Sequence, residues 1–387
     1  MNLTLSDEQQ MIRDSVRDYF NDAYGFTAHV ARIRQRRGVD AGHWQRMADL
    51  GWLGLAVPQD AGGLGAGPEE AMLLMEGAGA ALCIEPLLAT AVLAAPLLAE
   101  ANAPGGAAAG ALQGAMEGRH SLALAWTESH HGFAPLEVQT RAEPDAGGGY
   151  RLSGSKVLVD NGGDADWIIV PARTGAEGIS LFLVRGDAPG LTRTAVPMVD
   201  GSWAADLSLD GVGVDAAHLV GQRGEGAAAL RAAAYKGLAA NCAEALGAMG
   251  RAIEICRGYL HERQQFGKPL SAFQALQHRW VDMLIAEERA RSMTLLAAIR
   301  AREGRFDDPD AVRDLHLAKL VVGRSARFVG AQAIQLHGGM GMAYEYPIGH
   351  CYRKLLNCDA AFGTPDDHLA MLTGHAAEIR KTEGVPA

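Results

Sequence analysis

Two segments of the chain concentrate side chains suited to gripping a phosphate-bearing aromatic ligand. The first, ERQQFGKPLSAFQALQHRWVDM over 262–283, holds Arg263, Gln265, Phe266, Phe273 and Gln274. A guanidinium is a planar cationic fork that pairs with two oxygens of a phosphate at once. Phe266 offers a flat face, and the Gln274 amide donates and accepts. The second, QLHGGMGMAYEYPIGHCYRKL over 335–355, holds Gln335, His337, Gly338 and Gly339. Paired glycines let the main chain approach a ligand where a side chain would collide. Taken singly, each residue has a plainer role: Phe266, Phe273 and Leu276 as core, Gly338–Gly339 as a helix C-cap, Arg263 as a surface charge. Their joint occurrence favours binding.

Other chemistries find little support. The thirteen histidines include no HExxH and no Cys/His spacing that suits zinc, so no metal site is expected. His130 and His131 are adjacent and point apart. No GxSxG occurs. The Gly-rich GQRGEG at 221–226 reads as a turn before a helix.

The elements that must position these residues are helical at both ends. Ser6 caps a first helix with Met11, Val16 and Phe20 on its apolar positions. A Gly-rich break at 51–67 precedes two or three Ala/Leu-rich helices ending near 116. Gly, Asp and Pro turns then separate strand candidates at 121–129, 150–160, 166–173, 179–185 and 204–212. With no long helix between them, these form an antiparallel β domain. Long Ala-rich helices follow at roughly 227–262, 271–303, 309–336 and 365–380, a four-helix bundle. The fold class is therefore α+β, with an N-terminal helical domain (1–119), a central β domain (120–222) and a C-terminal helical bundle (223–387).

Composition agrees with a folded chain: 387 residues, 48% hydrophobic and 21% charged. A formal net charge of −10 gives no general attraction to nucleic acid or anionic lipid. Five cysteines without a CxxC read as reduced thiols, and MNLTLSDEQQ lacks the apolar stretch of a signal peptide, so a cytoplasmic location is expected.

The two binding segments, in this order and within this α–β–α layout, resemble the acyl-CoA dehydrogenase family over essentially the whole chain. That family carries R-x-x-F-G-x-P-L-x-x-F-Q and Q-x-x-G-G-x-G-x-x-x-E-Y-P, matched here from Arg263 and from Gln335. The resemblance implies FAD as cofactor and an acyl-CoA thioester as substrate. It also implies an oligomer in which these segments reach a neighbour's FAD, and an electron-transferring flavoprotein as electron acceptor. It assigns Trp126, Thr127 and Thr364 to the cofactor as well. A second flavin strand keeps Lys156, Asn161 and Gly162, but Leu158 stands where Trp is usual and Asp160 where Thr is usual.

Dehydrogenation across Cα–Cβ needs a base within reach of the α-proton. In the family it is a Glu at one of two places, and here those places hold Phe362 and Gly237. Glu244, Asp359, Asp366 and Asp367 are the substitutes nearby. The pattern, including NCAEALGAM and FGTPDDHLA, is closest to the pimeloyl-CoA dehydrogenase small-subunit type. It implies a homologous catalytic subunit as partner in a heterotetramer. A self-sufficient homotetramer with a relocated acid, or a non-catalytic acyl-CoA- or FAD-binding protein, are the alternatives.

Overall fold

A computed structural model describes residues 4–35, 39–101, 107–128, 132–175 and 178–383. In chain order the helices are α1 (Asp7–Ala23), α2 (Phe26–Gln35), α3 (Ala41–Asp49), α4 (Pro68–Ala80), α5 (Ala95–Ala101), α6 (Ala107–Met116), α7 (Gly226–Glu262), α8 (Gln274–Glu303), α9 (Pro309–His337), α10 (Pro347–Ala360) and α11 (Pro365–Glu383). A π-helical stretch, Leu88–Ala94, leads into α5. The chain divides into two compact units, Met1–His29 with Met72–Cys83 and Leu238–Ala387, and Val30–Ala71 with Ile84–Gly237. The units interleave the chain, whereas the three-part division expected from the sequence runs along its order. His130 and His131 lie outside the described residues.

The second unit is built on one sheet. Its strands are β1 (Leu122–Leu124), β2 (Arg141–Pro144), β3 (Tyr150–Asp160), β4 (Trp167–Arg173), β5 (Ile179–Arg185), β6 (Leu191–Pro197), β7 (Trp203–Val214) and β8 (Leu219–Val220). The order is β6-β7-β3-β2-β4-β5-β8, with β1 beside β4. Most pairs are antiparallel, but β1 runs parallel to β4 and β2 meets it in parallel at Arg141 and Arg173, which corrects the all-antiparallel expectation. β2, β6 and β8 were not expected. β2 and β8 are very short, and β6 (LTRTAVP) lies at the sheet edge with no residue buried and no sustained apolar run. Leu152, Ile168, Val170, Phe182, Leu207 and Val212 form the core.

Pro171 sits inside β4 without breaking it. β1 ends with Ala125 N–H on Ile169 O, and β2 begins where Arg173 N–H reaches Thr140 O, both 2.8–2.9 Å. Pro171 falls between these two partners, where its missing N–H costs no ladder bond. Its carbonyl accepts from Lys156 Nζ at 2.7 Å instead.

In the first unit α7, α8, α9, α10 and α11 pack with α1 and the end of α4. Ser6 closes a capping box with Gln9 on α1, and Asp308 caps α9 ahead of Pro309. α10 is a fifth helix in a region expected to hold four. Pro347 starts it, since proline at the first helical position lacks only an N–H that would go unused. α4 and α7 cross in main-chain contact. A Cβ on Gly79 would collide with the Glu244 carbonyl, and one on Gly247 with the Glu76 carbonyl. Among the described residues no helix is long and apolar enough to cross a membrane.

Candidate cofactor and active site

The first binding segment folds as a tight hairpin. Gln264–Gln265 pair antiparallel with Lys268–Pro269. The turn residues Phe266 and Gly267 have φ of +55° and +77°. Two left-handed residues make the primed turn that suits the twist of a hairpin. Gly adopts it freely. Phe does so under strain, and the turn holds its ring 88% exposed. Lys268 Nζ lies 4.3 Å over the Phe273 ring, and Phe273 meets Phe266 edge-on at 6.1 Å. Arg263, Gln265 and Gln274 are exposed, and the Arg263 guanidinium has no ion-pair partner among the described residues.

The second segment ends α9. Gln335 is exposed, Gly338 closes the helix at φ +56°, and a Cβ on Gly338 or Gly339 would meet nothing within 4 Å. An open glycine main chain, a free guanidinium, three surface amides and an uncovered ring fit a dinucleotide with a pyrophosphate. His337 is different. Expected among the cofactor contacts, it is turned inward. It donates from Nδ1 to Ala333 O at 2.8 Å and stacks on Tyr259 at 4.3 Å. Burial lowers its pKa.

In the second unit, Trp126 and Thr127 are half-buried beside β3, where Val157 N–H donates to Thr127 O at 2.9 Å. Trp126 packs on Phe133 (5.7 Å) and Phe133 on Tyr235 (5.1 Å), whose hydroxyl burial pushes up to about 12. Next in chain, the Glu128 carboxylate accepts from Gln139 N, Thr140 N, Thr140 Oγ1 and Lys156 Nζ, the last at 2.6 Å. Burial works against its ionisation, but Lys156 and these donors bring its pKa below the ordinary value. Burial, partly offset by Glu128, lowers Lys156 to about 8. Lys156 is thus framework: it belongs to the strand that the resemblance places along the flavin, with its side chain buried.

That strand is strained where the resemblance singles it out. Leu158 and Asn161 have φ of +49° and +58°. A bulge between Lys156 and Val159 creates the kink. Asp206 Oδ1 receives Leu158 N–H at 2.9 Å, and Asn161 Nδ2 donates to Leu122 O at 3.2 Å. Non-glycine residues stay left-handed only where their surroundings over-determine them, and such places gather at ligand sites. Asp160 is exposed.

The positions where a base is expected carry none. Gly237 is buried on α7. Phe362 is half-buried between α10 and α11, also left-handed at φ +58°. Three of the four substitutes are committed elsewhere. Glu244 pairs with Lys354 at 2.5 Å, and that lysine also donates to Cys83 O at 3.1 Å. Asp359 pairs with Arg327 at 2.5 Å, though burial raises its pKa. Asp367 accepts from Thr364 N (2.8 Å) and Oγ1 (2.7 Å) and returns its own N–H to Thr364 Oγ1. Thr364, expected at the cofactor, has its hydroxyl in the cap of α11. Asp366 is exposed in the first turn of α11.

Sequence reasoning missed the groups that hold this segment. Lys319 Nζ, deep in α9, donates to Asn241 Oδ1 at 2.8 Å and to the carbonyls of Cys358 and Asp359. His316 and His368 meet ring to ring at 2.7 Å, and His368 also contacts Phe362 O. A lysine inside the apolar run of α9 was the one visible signal. The histidines lie far apart in sequence and gave none.

Comparison with known proteins matches the acyl-CoA dehydrogenase N-terminal domain over residues 6–103, the middle domain over 123–212 and the C-terminal domain over 224–374. The probable acyl-CoA dehydrogenase YngJ of Bacillus subtilis is 30% identical over 95% of this chain and 97% of its own. The butyryl-CoA dehydrogenase structure from Megasphaera elsdenii aligns at a TM-score of 0.87, with 28% identity, over 97% of this chain and 100% of that one. The ChsE4–ChsE5 complex from Mycobacterium tuberculosis aligns at 0.86, with 25% identity, over the full length of both chains. With relatives that cover nearly all of it and family models along its length, the chain belongs to the acyl-CoA dehydrogenase family.

Proposed function

We infer that the protein takes part in FAD-dependent α,β-dehydrogenation of an acyl-CoA thioester as the base-deficient subunit of a two-subunit enzyme. One observation carries this reading: Phe362 stands where the base is expected, and the carboxylates of Glu244, Asp359 and Asp367 are tied up in ion pairs or a helix cap. The reaction removes a proton from the α-carbon and a hydride from the β-carbon. Bound FAD supplies the hydride acceptor. The proton needs a carboxylate, which a homologous partner chain provides.

This chain's contribution is to hold the cofactor. Arg263 takes the pyrophosphate, Phe266 lies against the adenine or ribose, and Gln265, Gln274 and Gln335 bond its polar edges. The main chain at Gly338–Gly339 admits the phosphates. Trp126 and Thr127 flank the flavin side. That ChsE4–ChsE5 is a complex of two differently named chains supports a heteromeric arrangement. Electrons pass on to an electron-transferring flavoprotein. The sequence pattern favours a dicarboxylyl or other medium-chain acyl group, a cytoplasmic setting, and functional divisions at 1–119, 120–222 and 223–387.

The test is co-expression with a family member that keeps Glu at the position of Phe362. Alone, the chain is expected to carry little FAD and turn over no acyl-CoA; the pair gains both. Full flavin and turnover from the chain alone, lost on changing one acid, would replace this reading with a self-sufficient homotetramer. FAD or thioester binding without turnover, even beside the partner, would make it a binding protein.

A further inference from the structure

Phe362 keeps a left-handed backbone although nothing about a phenylalanine calls for one. The contacts around it explain how. His368 Nε2 lies 2.9 Å from the Phe362 carbonyl oxygen. A carbonyl only accepts, so His368 carries its proton on Nε2 and leaves Nδ1 bare. That Nδ1 is 2.7 Å from His316 Nδ1, so His316 donates from Nδ1. The two rings are locked in complementary tautomers, and both are buried. Burial, with His316 and Lys319 adding to it, pushes His368 down to about 3, so it stays neutral at ordinary pH.

The chain just before Phe362 is held from the same place. Lys319, three residues after His316 on α9, takes the last carbonyls of α10 at Cys358 and Asp359. Residues three apart share a helix face. One turn of α9 therefore fixes the segment on both sides of residue 362, and the Thr364–Asp367 cap secures the start of α11.

We propose that His316, acting through His368, is a positioning device that sets the backbone of residue 362, and that this setting presents a carboxylate correctly whenever residue 362 is an acid. The second half rests on the proposed reading of position 362 as the base site. Neither histidine contacts a reacting atom; both act through the Phe362 carbonyl.

The first test needs no flavin. Hydrogen–deuterium exchange is followed over 358–368 in the full chain as purified, for wild type, H368A, H368Q and H316F. H368A is expected to raise exchange about tenfold, the equivalent of one lost internal hydrogen bond, while H368Q, which keeps an N–H donor, stays within about twofold of wild type. H316F falls between them. Wild-type exchange in folded H368A or H316F overturns the proposal. If H368A does not fold, selective 15N-histidine NMR of the wild-type chain decides. A coupling across an Nδ1–H···Nδ1 bond supports the pair, and its absence overturns it.

The second test uses F362E in the flavin-loaded assembly with a partner chain whose own base Glu has been changed to Gln, with saturated acyl-CoA thioesters and an artificial electron acceptor; the same assembly with Phe362 kept gives the background. F362E is expected to turn over, F362E/H368A to lose kcat about tenfold at unchanged KM, and F362E/H368Q to recover it. If F362E is inert while its exchange pattern matches wild type, position 362 is not a base site. The exchange comparison still judges the histidine pair by itself.

Discussion

The crossing of α4 and α7 allows a substitution to be predicted with an internal control. Gly247→Ala places a methyl against the Glu76 carbonyl and the Ala80 amide of the facing helix, both main-chain atoms that cannot rotate away. The helices must part by over ~1 Å, which opens voids along the rest of their contact. Overpacking of this kind costs ~1–3 kcal/mol, and a rigid main-chain obstacle puts it at the upper end. Replacing Gly by Ala inside a helix returns up to ~1 kcal/mol, leaving a net loss of about 2 kcal/mol. Gly258 lies on the same helix, exposed, with nothing within 4 Å of an added Cβ. There the propensity gain stands alone, about 0.5–1 kcal/mol. Urea unfolding of the two variants should therefore show midpoints about 1 M apart, taking m near 3 kcal/mol/M, with wild type between them. If G247A unfolds at the same urea concentration as G258A, the main-chain contact does not exist in solution.

Three other outcomes are expected at the site. Lys156→Met strands the Glu128 carboxylate in the sheet and should cost ~3–5 kcal/mol, whereas adding Glu128→Gln should recover part of it, so a double-mutant cycle must show strong coupling. Because the folded protein keeps His368 neutral down to about 3 while the unfolded chain protonates it near 6.5, the stability it allows is complete above that range and declines as pH falls from ~6.5 toward ~3. H368Q should flatten that part of the stability profile; an unchanged slope would mean His368 is solvated. Phe266→Ala should leave stability within ~0.5 kcal/mol, since the ring is exposed, yet lower the FAD retained by the assembled enzyme. Undiminished flavin would remove Phe266 from the cofactor site.

What the sequence disclosed was local. β3 and β5 are legible from their alternation and apolar runs, and α9 from Asp308–Pro309 ahead of a periodic stretch. The segment around 264–269 was legible as a motif but not as a hairpin, and its exposed ring agrees with a ligand from outside. α10 was missed because Pro347 and Gly349 look like breakers when their place in a helix is unknown. The parallel docking of β1 on β4 joins segments with β2 and β3 between them in the chain, and no local pattern reports it. The same holds for what ties up Glu244: its partner Lys354 is far along the chain, and only folding brings the charges together. Of the five left-handed non-glycine residues among the described residues, three, Leu158, Asn161 and Phe266, lie in segments that the resemblance links to the cofactor, and Phe362 stands at the expected base position. Composition does not encode that coincidence.

Pro171 has a consequence beyond β4. An ordinary residue there would aim an extra hydrogen into the gap between the end of β1 and the start of β2, where a buried donor needs a partner. Proline has no such hydrogen and Lys156 takes its carbonyl, so β4 crosses the gap with its main chain satisfied. The same ammonium reaches Glu128, three residues beyond the end of the β1 pairing at Ala125. A single imino acid in a central strand thus leaves the lysine free to tie that carboxylate to the sheet.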